Sequence, residues 1–302
     1  MFKQIKNKGH ENMKKIIVSL TLILSISFTE GFSGLSYFGY SKDGGFELTR
    51  TYLTYDKNIS DIMSFKFQTD IGQIGDERWD VYLKKAQLDW KFSDETKLSM
   101  GLIGNNMFSV QEKTWGKRFI AKSALDKANW GISAADLGIG YSKNFENISV
   151  SLLITNGEGY KNSDVDENQM QSLQVVYGEK RLDKNIGYNI GLVHSTLDSD
   201  EVTTNTVTGA FGGWSNNIFT ITAEQYTKST TGLDNQELSS FGITCIVANN
   251  VSFFARQDNN DNVETFIAGF SVSPAEGLTI CPNITQTDNA DNEFKFNFQF
   301  KF

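Results

Sequence analysis

Five cations, Lys113, Lys117, Arg118, Lys122 and Lys127, crowd one stretch of this 302-residue chain and face only Glu112 and Asp126 there. An arginine guanidinium suits bidentate contact with carboxylate or phosphate, whereas a lysine ammonium supplies a mobile point charge. The chemistry on offer is attraction of anions. It stands out because the chain as a whole has a formal net charge of -8. That acidic balance disfavours a nucleic-acid partner.

Other chemistries find fewer parts. The chain has two histidines, His10 near its start and His194. A histidine metal cluster is therefore excluded, and a serine hydrolase would have to use His194. Its neighbour Ser195 points to the other face of a strand, so only the proximity of Asp198 and Asp200 keeps a hydrolase as the least favoured alternative. Cys245 and Cys281 lack a CxxC spacing and read as wall residues, with a disulfide open only if their strands adjoin. The segments Glu158 to Asn168, Asp198 to Glu201 and Asp258 to Asn262 are rich in oxygen ligands, but none has the spacing of a calcium loop. They read as solvated loops. Gly138 with Gly140, and Gly212 with Gly213, sit at no strand-to-helix turn and read as relief of crowding in a curved wall. No cofactor and no metal is expected.

The elements that would position these residues are strands. Phe294, Phe296, Phe298, Phe300 and Phe302 alternate without a slip with Lys295, Asn297, Gln299 and Lys301. Such a strand has one apolar face and one wet face. The period recurs in Phe65, Phe67 and Ile71 against Lys66, Gln68 and Asp70, and in Phe219, Ile221 and Ala223 against Thr220, Thr222 and Glu224. It also marks Phe241 to Val247 and Ile148 to Ile154. Sixteen segments follow: 33–41, 46–56, 61–71, 79–91, 96–104, 136–143, 148–156, 169–179, 186–197, 203–213, 218–227, 238–247, 251–257, 263–272, 278–285 and 293–302. Short turn-like connections, such as 57–60, 93–95, 144–147, 214–217, 248–250 and 273–277, alternate with mostly longer acidic ones. One connection breaks the pattern: 105–135 has little period-two character, and a loop that long is commonly functional or disordered. The spacing predicts a short helix over 114–127, with Arg118 and Lys122 on one side.

The amino end carries a different signal. Met13-Lys14-Lys15 precedes an apolar run from Ile16 to Phe28, about half the length of a membrane-spanning helix. Residues 1–29 read as an export signal, with Met13 as a candidate start and cleavage after Thr29 or Gly31, placing the mature start near Glu30. Removing residues 1–29 deletes five lysines and one glutamate and takes the formal charge from -8 to -12. No later segment has the apolar length of a membrane helix. Alternating strands average to the slightly negative mean hydropathy of this chain, and two prolines in 302 residues interrupt few sheet hydrogen bonds. The pattern gives an all-β, antiparallel, up-and-down transmembrane barrel of about sixteen strands over 30–302, one domain with both termini on the short-turn side. Tyr52, Tyr55, Trp79, Trp90, Tyr141, Tyr188 and Tyr226 read as interfacial girdle aromatics.

This order of parts resembles the bacterial sixteen-stranded porins: an export signal, strand-turn alternation, an enlarged third outer loop and a terminal phenylalanine. The resemblance covers the whole mature chain. A narrower one, to the phosphate-selective porin O and P type, is carried by WGKRFIAKSALD at 115–126 and GFELTRT at 45–51. The resemblance implies an outer-membrane channel for small hydrophilic solutes, a third loop folded into the barrel, recognition of Phe302 by the barrel assembly machinery, contact with the lipid bilayer and a homotrimer. An in-folded loop would bring Lys113, Lys117, Arg118, Lys122 and Lys127 to the constriction, with Arg50, Lys66, Lys85, Arg256 and Lys295 as wall partners. Asp70, Asp89 and Glu224 would partly offset them, so a mild anion preference is expected. The alternatives are a basic loop that stays outside against lipopolysaccharide phosphates, and a plugged barrel serving as anchor or adhesin.

Overall fold

The computed structural model describes residues 31–74, 78–162, 167–198 and 203–302. The expected export signal with its start at Met13, and parts of two acidic outer segments, lie outside the described residues. The strands are β1 (Phe32–Ser41), β2 (Gly45–Asn58), β3 (Met63–Ile74), β4 (Arg78–Lys91), β5 (Thr96–Gly104), β6 (Ala135–Phe145), β7 (Ile148–Thr155) and β8 (Met170–Gly178). They continue as β9 (Gly187–Asp198), β10 (Thr204–Ser215), β11 (Phe219–Thr230), β12 (Gln236–Ala248), β13 (Val251–Asn260), β14 (Val263–Ala275), β15 (Leu278–Thr287) and β16 (Glu293–Lys301). Each pairs antiparallel with its sequence neighbours, and β1 pairs with β16, so the sheet closes on itself. Closure leaves no strand edge unpaired, which is what a sheet needs to sit in hydrocarbon.

All sixteen expected segments are strands. Several run further at their outer ends, β11 to Thr230 and β13 to Asn260. The cue from sequence stops where outward side chains cease to be apolar, while backbone pairing continues. Past that point the outer face turns polar, as where Gln225 and Thr227 donate to Glu237.

Below that level the outer surface is apolar around the barrel. Leu53, Phe67, Val81, Leu137, Ile154, Leu192, Phe241, Phe253 and Phe294 are all exposed. A water-soluble domain seldom exposes more than a few hundred Å² of contiguous apolar surface, so this belt is a lipid-facing one. No described helix is long and apolar enough to cross a membrane. Trp79, Trp90, Tyr141 and Tyr188 are exposed on the outside. Tyr52 and Tyr226 are not girdle residues: they are 5% and 1% exposed and turn into the lumen. Tyr226 shares the parity of Glu224, and Tyr52 that of Arg50, so the inward face claims both.

The packed core lies inside the barrel. One cluster joins Met107, Phe108, Val110, Leu125, Trp130 and Ile132 to Val176, Val193, Phe211, Tyr226 and Leu238 on β8–β12. A second joins Trp115 and Phe119 to Tyr37, Tyr52, Phe254, Ile267 and Cys281. Each such burial contributes roughly 1.5–3 kcal/mol, so the long third outer loop is held within the lumen by its apolar side. Aromatic rings also cover glycines opposite them in the wall: a Cβ on Gly209 would lie 2.0 Å from the Tyr226 ring. The Phe302 ring covers Gly34 in the same way. Cys245 and Cys281 are both free thiols.

Candidate functional site

The third loop (105–134) enters the lumen along a seam of amide hydrogen bonds. Asn106 Nδ2 donates to the Ser151 carbonyl at 3.0 Å, and Ser172 Oγ and Gln174 Nε2 donate back to Asn106. From there α1 (Ser109–Trp115) crosses to the far wall, where Gln111 Nε2 donates to the Tyr226 hydroxyl at 3.0 Å. Gly213 makes room for that approach, since a Cβ there would lie 2.8 Å from Thr114 Cγ2. Gly116, at φ 66, ends α1 in the left-handed conformation. The chain then turns through 117–121, and a second short helix, α2, covers Ala124–Ala128. The continuous helix expected over 114–127 is thus broken into two pieces by Gly116 and the turn behind it.

The turn is pinned by the wall. Asn297 Nδ2 on β16 donates to the Phe119 carbonyl at 3.2 Å, and Arg256 Nη1 on β13 donates to the Lys122 carbonyl at 2.8 Å. Trp115 Nε1 donates to the Ala121 carbonyl, and its ring meets Phe254 edge-on at 5.8 Å.

The candidate cations divide by what they touch. Arg118 bridges Glu112 and Asp126, and Lys122 reaches Asp126 at 3.4 Å. Burial alone would push the Asp126 carboxyl up, but the Arg118 and Lys122 charges beside it outweigh that and hold it below the usual carboxylate range. Lys127 lies 3.7 Å from Asp258. Together with Arg50 and Lys295, these three line one cavity of about 370 Å³ on the outer side of the loop, with Glu47 and Glu293. Lys295 pairs with Glu293 at 2.8 Å, and Arg50 with Asp70 at 3.1 Å. Lys85 and Lys113 are on the other side of the loop, toward the short turns. Lys66 is apart from both groups, paired with Asp56 at 2.7 Å.

Two residues expected at the constriction are not on the open lumen. Arg256 is 2% exposed, stacked 4.6 Å from the Trp115 ring and paired with Asp258 at 2.7 Å. It fastens the loop to the wall. Lys117 points into the same seam, donating to Thr244 Oγ1 at 3.1 Å above the Phe254 ring. Burial lowers its ammonium to about 8. Arg256 was expected in the pore from the inward parity of its strand and Lys117 from its place in the basic loop, and neither cue tells what another segment lays on top. Asp258, expected in a solvated loop, is buried in the same seam and also accepts from Ser240 Oγ.

Lys84 was missed by the alternation. In the β3–β4 pairing Gln68 opposes Lys85 and Thr69 opposes Leu83, so Lys84 is the extra residue of a bulge. The bulge turns two consecutive lysines inward. Lys84 Nζ donates to the Tyr52 hydroxyl at 3.2 Å and lies 3.9 Å from Asp70. A matching irregularity between Tyr37 and Phe38 places Thr49 and Arg50 side by side on the lumen wall.

A second outer loop also reaches inward. Tyr160, from the connection after β7, donates its hydroxyl to Asp70 across the lumen on β3 and meets Tyr82 edge-on at 6.3 Å. Lys161 lies over the Tyr82 ring. Its sequence signal was a lone tyrosine in an acidic loop, which carries no direction.

His194 is exposed on the outer face, its Nδ1 2.9 Å from Thr208 Oγ1, while Ser195 is buried on the opposite face. Among the described residues no three His, Cys, Asp or Glu side chains gather where a metal ion could be held.

No family model matches this chain, and no curated protein matches it. Solved structures do. The Salmonella typhi OmpF complex with Daunomycin superposes with a TM-score of 0.66 at 8% identity, covering 90% of this chain and 97% of that one. A loop L8 deletion mutant of OmpT, an outer membrane protein of Vibrio cholerae, gives 0.61 at 13% identity over 90% and 98%. A mutant of Rh. blastica porin gives 0.59 at 10% identity over 90% and 98%. At such identities the likeness is one of fold: this chain's closed, sixteen-stranded barrel has the overall fold of those outer-membrane proteins.

Proposed function

We propose that the protein is a porin of the bacterial outer membrane, a passive channel for small hydrophilic solutes with a mild preference for anions, and not an enzyme. The observation that carries this reading is the outer half of the lumen. Inside a lipid-faced barrel, cavities of about 370 and 310 Å³ adjoin, both lined by Arg50, Arg118 and Lys122. Low-dielectric walls strengthen the field of those charges on a passing ion. The preference is mild because Arg50, Arg118, Lys122, Lys127 and Lys295 each have a carboxylate within ion-pair distance. Strict phosphate selectivity, the narrower form of the resemblance, is not part of this reading.

Lipopolysaccharide around the outer rim, delivery of the strand ending at Phe302 by the barrel assembly machinery, and a homotrimer complete the proposal. One of the Vibrio cholerae OmpT structures of this fold is a trimer form. Single-channel recording in a planar bilayer tests the pore: discrete steps of steady conductance are expected. Their absence would favour a plugged barrel acting as anchor or adhesin, and esterase or protease activity abolished by His194→Ala would favour a hydrolase.

A further inference from the structure

The third loop divides the lumen, and the two sides differ in how their charges are matched. On the outer side the candidate cations have carboxylate partners. On the turn side a cavity of about 360 Å³ is lined by Lys85, Lys97, Lys113, Lys180 and Arg181 and, among the described residues, by no aspartate or glutamate. Asp89 engages Lys97 at 3.0 Å, and Asp183 engages Arg181 at 2.7 Å. Among the described residues Lys85 and Lys113 make no ion pair, and Lys180 Nζ donates to the Asn144 side-chain oxygen at 3.0 Å. Glu112, whose charge reaches both Lys85 and Lys113, is taken by Arg118, and Asp183, which acts more strongly on Lys113, is taken by Arg181.

The cavity is assembled from two inturned segments. From above comes the third loop, with Asn105, Asn106 and Lys113. From below comes the β8–β9 connection, residues 179–186, the longest on the turn side. It folds up into the barrel instead of turning tightly. Leu182, 3% exposed, shares with Thr114 the space above Gly213, and Asn189 Nδ2 fixes the Glu179 carbonyl at 2.7 Å. That connection delivers Lys180 and Arg181 to the cavity.

Asn105 adds an amide to the polar lining. It is 7% exposed and lines the cavity. Its Oδ1 accepts the Met107 N–H at 2.6 Å, and its Nδ2 is buried with no acceptor. Burial, then the neighbouring Arg181 and Lys180 charges, hold the Lys113 ammonium below the usual lysine range. Uncompensated ammonium groups around one polar cavity favour an anion that can answer several of them at once, and lysine suits this better than a planar arginine fork does.

We propose that this turn-side cavity is a binding site for small oxyanions carrying two negative charges, such as sulfate or a short dicarboxylate, held by Lys85, Lys113 and Lys180. The electrical test rests on the open-pore reading; an equilibrium test does not. In a planar bilayer at constant chloride, sulfate or malonate is added to one side and then the other. Block of the chloride current is expected from the turn side at about tenfold lower concentration than from the loop side. The Lys85→Gln/Lys113→Gln/Lys180→Gln variant should lose that asymmetry, and monovalent acetate should not block. Block by only one of sulfate and malonate would narrow the class to that chemistry while retaining the site. Equilibrium dialysis of the folded protein with radiolabelled sulfate should give one saturable site that the triple variant lacks. Symmetric block unaffected by the three substitutions, with no saturable binding, overturns the proposal and leaves the porin reading standing. Saturable binding without any chloride current does the reverse.

Discussion

Lys117 carries an ammonium into the seam between the third loop and the barrel wall, where Thr244 and two aromatic rings are its neighbours. Burial lowers its pKa from 10.5 to about 8 when the loop is docked. An undocked loop therefore binds more protons between those values, and docking must strengthen as pH rises from about 8 to 10.5. Open-channel current noise, which reports motion of a loop in the lumen, should fall across that window. Lys117→Met should flatten the dependence. Trp115 is the apolar counterpart, 3% exposed between Phe254 and the Arg256 guanidinium. Trp115→Ala should cost docking about 3–5 kcal/mol. Hydrogen exchange at neutral pH is expected to speed up in 116–121 while the strands stay protected. The identity of these residues as a basic group was legible in the sequence. Their division into lumen-lining Arg118 and Lys122 and seam-filling Lys117 and Arg256 was not, because it depends on contacts between segments more than a hundred residues apart.

At the scale of elements, what was legible follows from period. A strand between lipid and a wet lumen must alternate, so Phe294 to Phe302 declares both its conformation and its faces, and fifteen other segments follow the same logic more faintly. A bulge breaks that logic by one residue, and Lys84 beside Lys85 looks in sequence like one inward and one outward lysine. Gly116 was similarly silent: a glycine near the middle of an expected helix reads as a modest cost, yet its φ of 66 ends α1 and turns the chain toward β16. Two predictions belong here. Gly213→Val puts side-chain atoms where Thr114 and Leu182 lie, and should lift α1 from β10 without unfolding the barrel. Conductance would then show added substates. Tyr160→Phe removes the hydroxyl that ties the loop after β7 to Asp70 across the lumen. Slower, larger current fluctuations are expected from that variant, and an unchanged record would mean the loop is held by Tyr82 and its backbone alone.

For the whole molecule, closure decides most of the physics. Sixteen strands that pair in order and return to β1 satisfy their backbone groups internally, and an apolar belt outside with packed loops inside inverts the arrangement of a soluble domain. Net charge is a poor guide to such a molecule. The chain is acidic overall, but several carboxylates are exposed on outer strand ends and loops, while the lumen around the third loop gathers Arg50, Lys84, Lys85, Lys113, Arg118 and Lys122. In the proposed channel a permeating ion would respond to the second population, because the field is strongest where the path is narrow and its walls are of low dielectric. The most direct measurement is the zero-current potential of the reconstituted protein across a salt gradient. A sign showing anion preference, shifted toward cations by Arg118→Gln with Lys122→Gln, is the predicted result. Cation preference in the unaltered protein, or no conductance at all, would contradict the account.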